Sequence, residues 1–124
     1  MQSVRAFRGA TTVDADEVGH IAERVEAMVR AVLDRNGLDA DALISLLFSA
    51  TPDLHATFPA TVARARIPEL ADVPLMNMAE LDIAGALPRC IRVMVHAATD
   101  LPRSAVQHVY LEGAVALRPD LARP

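Results

Sequence analysis

A mixed β-sheet with two helices on one face, an α/β (α+β) layer, is the fold this sequence predicts, and three features carry the prediction. A long amphipathic helical period lies between Asp14 and Asn36. Short apolar runs bounded by Pro, Gly and Asp flank it on both sides. The resulting order, β, α, β, α, β, β, β, contains no repeat, linker or low-complexity stretch. At 124 residues the chain reads as a single domain, 1–124, with a short C-terminal tail from about 118.

Residues 3–13, Ser-Val-Arg-Ala-Phe-Arg-Gly-Ala-Thr-Thr-Val, are rich in β-formers and predict the first strand. Asp14 followed by Glu17 predicts a capping-box start for the first helix. Ile21, Val25, Met28, Val29 and Val32 then recur at helical spacing, with Glu23, Glu26 and Arg30 on the opposite side. Asn36-Gly37 supplies the stop, because glycine tolerates the left-handed backbone there. Asp39 and Asp41 are placed to cap one further turn. Residues 43–50 are a nearly continuous apolar run that stops at Thr51-Pro52-Asp53, which predicts a central strand covered on both faces. Phe58-Pro59 opens a second, shorter helix to about Arg66, with Pro at an early helical position. Val73 to Met78 reads as the third strand, Gly85 and Pro88 as a turn, and Cys90 to Val95 as the fourth strand. Ser104 begins a helical turn, and the last strand is expected from His108 to Leu117, before Arg118-Pro119-Asp120.

Composition narrows the function classes. All 12 basic side chains are arginine, against 16 acids, for a net charge of −4. Between Asp14 and Asp41 eight acids meet three arginines, so this stretch carries −5 and is expected to be a solvated helix face. An acidic chain without a basic face is a poor match to a phosphate backbone, so no nucleic-acid partner is expected. No apolar run approaches the ~18 residues of a membrane span. The N-terminus lacks an apolar secretory core, so a soluble cytoplasmic protein is expected. Cys90 is the only cysteine, which excludes an internal disulfide or a cysteine-based zinc cluster. With no Trp, one Tyr and three Phe, the core is left to small aliphatic side chains, and a domain this size is expected to lean on oligomerisation for part of its burial.

A few residues resist a purely structural reading. Arg92 sits between Ile91 and Val93 in an otherwise apolar strand, where a guanidinium has to meet an anion, either internal or bound. Arg8 poses the same problem: by alternation it shares a face with Val4, Ala6 and Ala10, which aims it at the apolar side. Glu80 and Asp82 follow the third strand, at an end where open α/β sheets place sites. Tyr110 is the lone tyrosine, within the last strand, where a core role with a bonded hydroxyl is the default. The histidines show no metal-ligand spacing, and there is neither a Gly-rich phosphate loop nor a nucleophile elbow. Several arginines, a carboxylate and a tyrosine suit a dianionic ligand held in a chosen shape, by chemistry that needs neither metal nor nucleophile.

Four blocks add a resemblance. Arg8-Gly-Ala-Thr-Thr-Val13, Ala50-Thr-Pro-Asp-Leu-His-Ala56 with Phe58-Pro59, Gly85-Ala-Leu-Pro-Arg-Cys-Ile-Arg-Val93, and His108-Val-Tyr-Leu-Glu112 with Leu117-Arg-Pro-Asp-Leu121 together resemble the monofunctional chorismate mutases of the AroH class, over roughly residues 4–121. The resemblance implies a homotrimer with a pseudo-α/β-barrel core, active sites at subunit interfaces, and no cofactor or metal. It implies the Claisen rearrangement of chorismate to prephenate in phenylalanine and tyrosine biosynthesis. By it, Arg92 approaches the ether oxygen of the breaking bond, Arg8 binds the enolpyruvyl carboxylate with help from Tyr110, and Glu80 accepts from the ring hydroxyl. Phe58 and Leu117 would wall the ring, Arg64 and Arg118 lie near the mouth, and Ala60, Thr61, Met76 and Asn77 complete the substrate-binding set. Thr61 stands where some members place lysine and Asn77 where many have cysteine, and the tail is short. Two other readings stand beside it: an imine deaminase or chorismate lyase or hydrolase on the same trimeric architecture, and a non-catalytic anion-binding module.

Overall fold

A computed structural model describes residues 2–117. Five strands, β1 (Ser3–Thr12), β2 (Leu43–Ala50), β3 (Leu75–Ala79), β4 (Cys90–Thr99) and β5 (Val109–Tyr110), form one sheet in the order β3-β2-β4-β1-β5. Central β4 runs antiparallel to both β1 and β2, while the edges β3 and β5 run parallel to their neighbours β2 and β1. Helices α1 (Val18–Arg35) and α2 (Pro59–Arg66) lie between strands in sequence. The stripe expected on α1 is fully buried, and with Val62 and Ala63 of α2 it joins Phe7, Leu46, Phe48, Val93 and Val95 in one core cluster. Both helices therefore cover the same sheet face, and each such aliphatic side chain adds about 1.5–3 kcal/mol through its burial. The trimeric barrel and the residues from 118 onward lie outside what this single described chain contains.

Several expectations change in detail. The capping box does not form: Glu17 occupies the N-cap without a side-chain bond, and the Asp14 carboxylate instead takes Arg24 Nη2 at 2.8 Å. The α1 stop is as expected, with Asn36 at the cap and Gly37 at φ +62°. Asp39 does cap a further turn, accepting from Ala42 N at 3.2 Å. The run at β2 is an interior strand, as expected, but it is not covered on both faces: Leu46 and Phe48 are buried, while Ser45, Leu47 and Ser49 are half-buried on the opposite side. β3 starts later than expected, and β4 continues to Thr99. The last strand shrinks to Val109–Tyr110, because Glu112 turns left-handed at φ 52° and residues 112–117 wind into a 3-10 helix. The acidic stretch is solvated as expected, with all its acids but Glu26 exposed; Glu26 pairs with Arg66 and Arg30 with Glu69, tying α1 to α2 and the turn after it.

Two carboxylates hold the loop that leads into α2. Asp16 accepts from the backbone N–H groups of His55 and Ala56, each at 3.0 Å. Asp53 accepts from Thr51 Oγ1 at 2.6 Å and from the N–H of Arg89 at 2.9 Å. Arg89, at φ 48°, also donates from Nη1 to Asp14 O at 2.8 Å, so the entry to β4, the β1–α1 connection and the loop are knotted together. Burial opposes charge on Asp53, yet the Thr51 hydroxyl, the Arg89 N–H and the Arg89 charge outweigh it and hold the carboxyl below its ordinary 3.8. A carboxyl depressed in the folded state contributes stability that is complete above the unfolded value and is lost as pH falls through the folded one.

Two predictions follow from this packing. Helix α1 approaches β1 so closely at Gly9 that a Cβ there would lie 2.9 Å from Val32 Cγ2 and 3.0 Å from Val93 Cγ1. Gly9→Ala should therefore lose about 1–3 kcal/mol in urea denaturation, and an unchanged midpoint would contradict the close approach. Asp53→Asn should be less stable than the parent at neutral pH, with the gap closing as pH falls below about 4. A gap that is constant with pH would show that the charge on Asp53 contributes nothing.

Candidate active site

Strand register brings the expected residues together on the face that the helices leave open. Met78, Ser49, Arg92, Ala10 and Tyr110 occupy matched positions on β3, β2, β4, β1 and β5. The adjacent row is Met76, Leu47, Met94 and Arg8. Arg8, Ser49, Met78, Arg92, Met94 and Tyr110 line a cleft of about 300 Å³. Arg8 does share a face with Val4 and Ala6, but that face is the open one; Phe7 and Gly9 point into the core.

Glu80 lies one residue past β3, and its N–H donates to Ala50 O at 3.0 Å, extending the parallel ladder by one step. That step sets its carboxylate beside Arg92, with Oε1 3.0 Å from Nε and side chains 21% and 37% exposed. The Arg92 N–H is not aligned for a hydrogen bond, so the contact is an ion pair. The same Oε1 accepts from Ser49 Oγ. Arg8 is half-buried, and its guanidinium forms no ion pair among the described residues; its backbone N–H donates to His108 Nδ1 at 3.0 Å. Tyr110 is 2% exposed, and its hydroxyl has no partner among the described residues. A buried donor left unmade costs about 1–3 kcal/mol, which a ligand oxygen in the cleft would recover. Leu117 packs with Tyr110, Ala10 and Ala114 at one end of the sheet. Burial pushes the Cys90 thiol up, against the opposing effect of Arg92, so it is a packing residue rather than a nucleophile.

The remaining residues gather elsewhere. Phe58, 66% exposed, and Asn77 line a second groove, which shares Met78 with the first cleft. Asn77 Oδ1 accepts from Ala60 N at 3.0 Å, which turns its side chain toward α2. Thr61 is exposed on α2, and Arg64 Nη2 donates to Val73 O at 2.9 Å. Met76 is exposed on the open face, Asp82 is exposed in the loop after β3, and Arg118 lies outside the described residues. Thus Arg8, Glu80, Arg92, Tyr110 and Leu117 converge within one chain, and Phe58, Ala60, Thr61, Arg64 and Asn77 do not join them. Among the described residues no group of histidine, cysteine and carboxylate side chains could hold a metal ion. Sequence reasoning passed over Ser49, Asp16 and Asp53; only Thr51-x-Asp53, a spacing common in side-chain-bonded turns, signalled any of them.

Comparison with known proteins identifies the family. The family model for chorismate mutase type I matches residues 4–121. The chain is 42% identical over 122 residues to the chorismate mutase AroH of Bacillus subtilis (strain 168), covering 96% of this chain and 93% of that one. It is 40% identical over 119 residues to the chorismate mutase AroH of Thermus thermophilus, covering 95% and 96%. Among solved structures, a chorismate mutase from Clostridium thermocellum superposes with a TM-score of 0.86 at 40% identity, over 90% of this chain and 98% of that one. A family match over nearly the whole sequence, with relatives this similar end to end, establishes that the chain belongs to the type I chorismate mutase family.

Proposed function

We propose that this protein is an isomerase that rearranges chorismate to prephenate, a step toward phenylalanine and tyrosine. Family membership supports the substrate. The observation that carries the site is the orphaned Tyr110 hydroxyl in a cleft flanked by Arg8 and Arg92. Two guanidiniums against one carboxylate leave the cleft cationic, as a dianion requires.

The reaction is intramolecular. A C–O bond breaks while a C–C bond forms between the two ends of the same molecule, and no proton or covalent intermediate is involved. Its cost is bringing a flexible side chain over the ring, and preorganised contacts can supply much of that. In this reading Arg8 and Tyr110 hold the enolpyruvyl carboxylate, and Glu80 accepts from the ring hydroxyl. Phe58, Leu117, Ala60, Met76 and Asn77 bound the ring, with Thr61, Arg64 and Arg118 at the mouth. C–O cleavage runs ahead of C–C formation, so negative charge grows on the ether oxygen. A fixed Arg92 guanidinium there favours the transition state over the ground state.

The site needs a second copy of the chain. The Phe58 set borders a different groove from the Arg92 set, and exposed Val4, Met76 and Leu81 leave apolar surface for another subunit to cover. A homotrimer with a pseudo-α/β-barrel core and interfacial sites satisfies both. No helix among the described residues is long and apolar enough to cross a membrane. A cytoplasmic location fits a biosynthetic role.

Loss of the chorismate diene absorbance, followed by acid conversion of the product, tests the reading. Phenylpyruvate after acid supports it, whereas released pyruvate or no turnover would overturn it. Arg92→Ala should lower kcat by about 10²–10³-fold, on the scale of losing one oxyanion-hole donor. Arg64→Ala should cost far less; comparable small losses in both would contradict the role of Arg92.

A further inference from the structure

We infer that Ser49 is a positioning residue that orients Glu80 and, through it, Arg92. The inference deepens the chorismate reading and rests on it for its kinetic consequence. Ser49 is paired with Arg92 across β2 and β4, and with Met78 across β2 and β3. That register sets its hydroxyl between the guanidinium and the residue two places past Met78, which is Glu80. Ser49 Oγ donates to Glu80 Oε1, the same oxygen that stands 3.0 Å from Arg92 Nε. Glu80 has no other side-chain hydrogen bond among the described residues, so only Ser49 selects which oxygen faces the arginine.

The arrangement divides the work of both charged groups. Oε1 is occupied by Ser49 and Arg92, leaving Oε2 as the oxygen available to a substrate hydroxyl. On Arg92, Nε lies against Glu80, so the terminal nitrogens are the ones left for the ether oxygen. Backbone pairing to Ala50 fixes where Glu80 starts, but a side chain with three rotatable bonds needs a second anchor to present one oxygen. A guanidinium placed against a loosely held carboxylate samples orientations that miss the reacting oxygen, which lowers turnover more than binding.

Three variants test this with chorismate turnover and thermal melting. Ser49→Ala should lose about tenfold in kcat with KM changed less than about twofold and an unchanged melting temperature, while Ser49→Thr, which keeps the hydroxyl, should recover most of the loss. In a Glu80→Ala background, adding Ser49→Ala should change kcat/KM less than about twofold, because Ser49 acts through Glu80. Wild-type kinetics in Ser49→Ala, equal losses in the Ala and Thr variants, or additive losses in the double variant would each overturn the role. Crystal structures of the Ala and Thr variants give a readout that does not depend on the reaction. The Oε1–Nε contact should be broken in the first and kept in the second, and a contact intact in both would overturn the inference even if the parent were inert toward chorismate.

Discussion

Arg92 stands in the central strand of the sheet, on the face that the two helices leave uncovered, and its charge has to be answered there. One side of β4 is committed to the core by Ile91, Val93, Val95 and Ala97, so the guanidinium cannot retreat to it. Glu80 answers part of the charge from the end of β3, and the ladder that joins β3 to β2 places it there. A pair this close and only partly exposed is screened less than one in open solvent. The residual positive field, shared with Arg8, is what a dianion meets on entering the cleft.

The same open face leaves apolar surface uncovered in the single chain. Leu47, Met76, Met78 and Met94 present flexible apolar side chains around the charged row, a surface that packs well against another protein or an organic ring. Phe58 and Asn77, whose roles in the proposed site are to bound the ring, line the neighbouring groove beyond β3. Asp16 and Asp53 anchor the loop before α2 that leads to Phe58. Two well-ordered halves that do not face one another inside a chain are the expected components of an interfacial site.

Much of this was legible in the residues. The 3.6-residue stripe from Ile21 to Val32, the Asn36-Gly37 stop and the Phe58-Pro59 start all appear in the structure as read. An arginine inside Cys-Ile-Arg-Val-Met-Val announces an anion partner, and Glu80 at the end of a strand was a candidate, although pairing the two requires the strand order. The misreadings have physical causes. The β2 run looked buried on both sides because Leu47 sits between Leu46 and Phe48, although its neighbours on the open face, Ser45 and Ser49, are polar, and sequence does not say whether the cover comes from the same chain or another. The capping box failed because Arg24 competes for Asp14, a contact between α1 and the segment before it. The last strand was overdrawn because Val115 and Leu117 continue the apolar pattern while the backbone turns away at Glu112. Ser49 was invisible as anything but a small polar residue, since its meaning lies in two cross-strand neighbours.

Complementation between two damaged chains measures most directly whether the site is assembled from two copies. Arg92→Ala removes one half and Phe58→Asp the other, and each alone should be nearly inactive toward chorismate. Co-expressed and purified as mixed oligomers through two different tags, they should regain substantial activity, because some interfaces join an intact Arg92 to an intact Phe58. Activity no higher than the sum of the separate variants, in oligomers verified to contain both chains, would contradict a shared site.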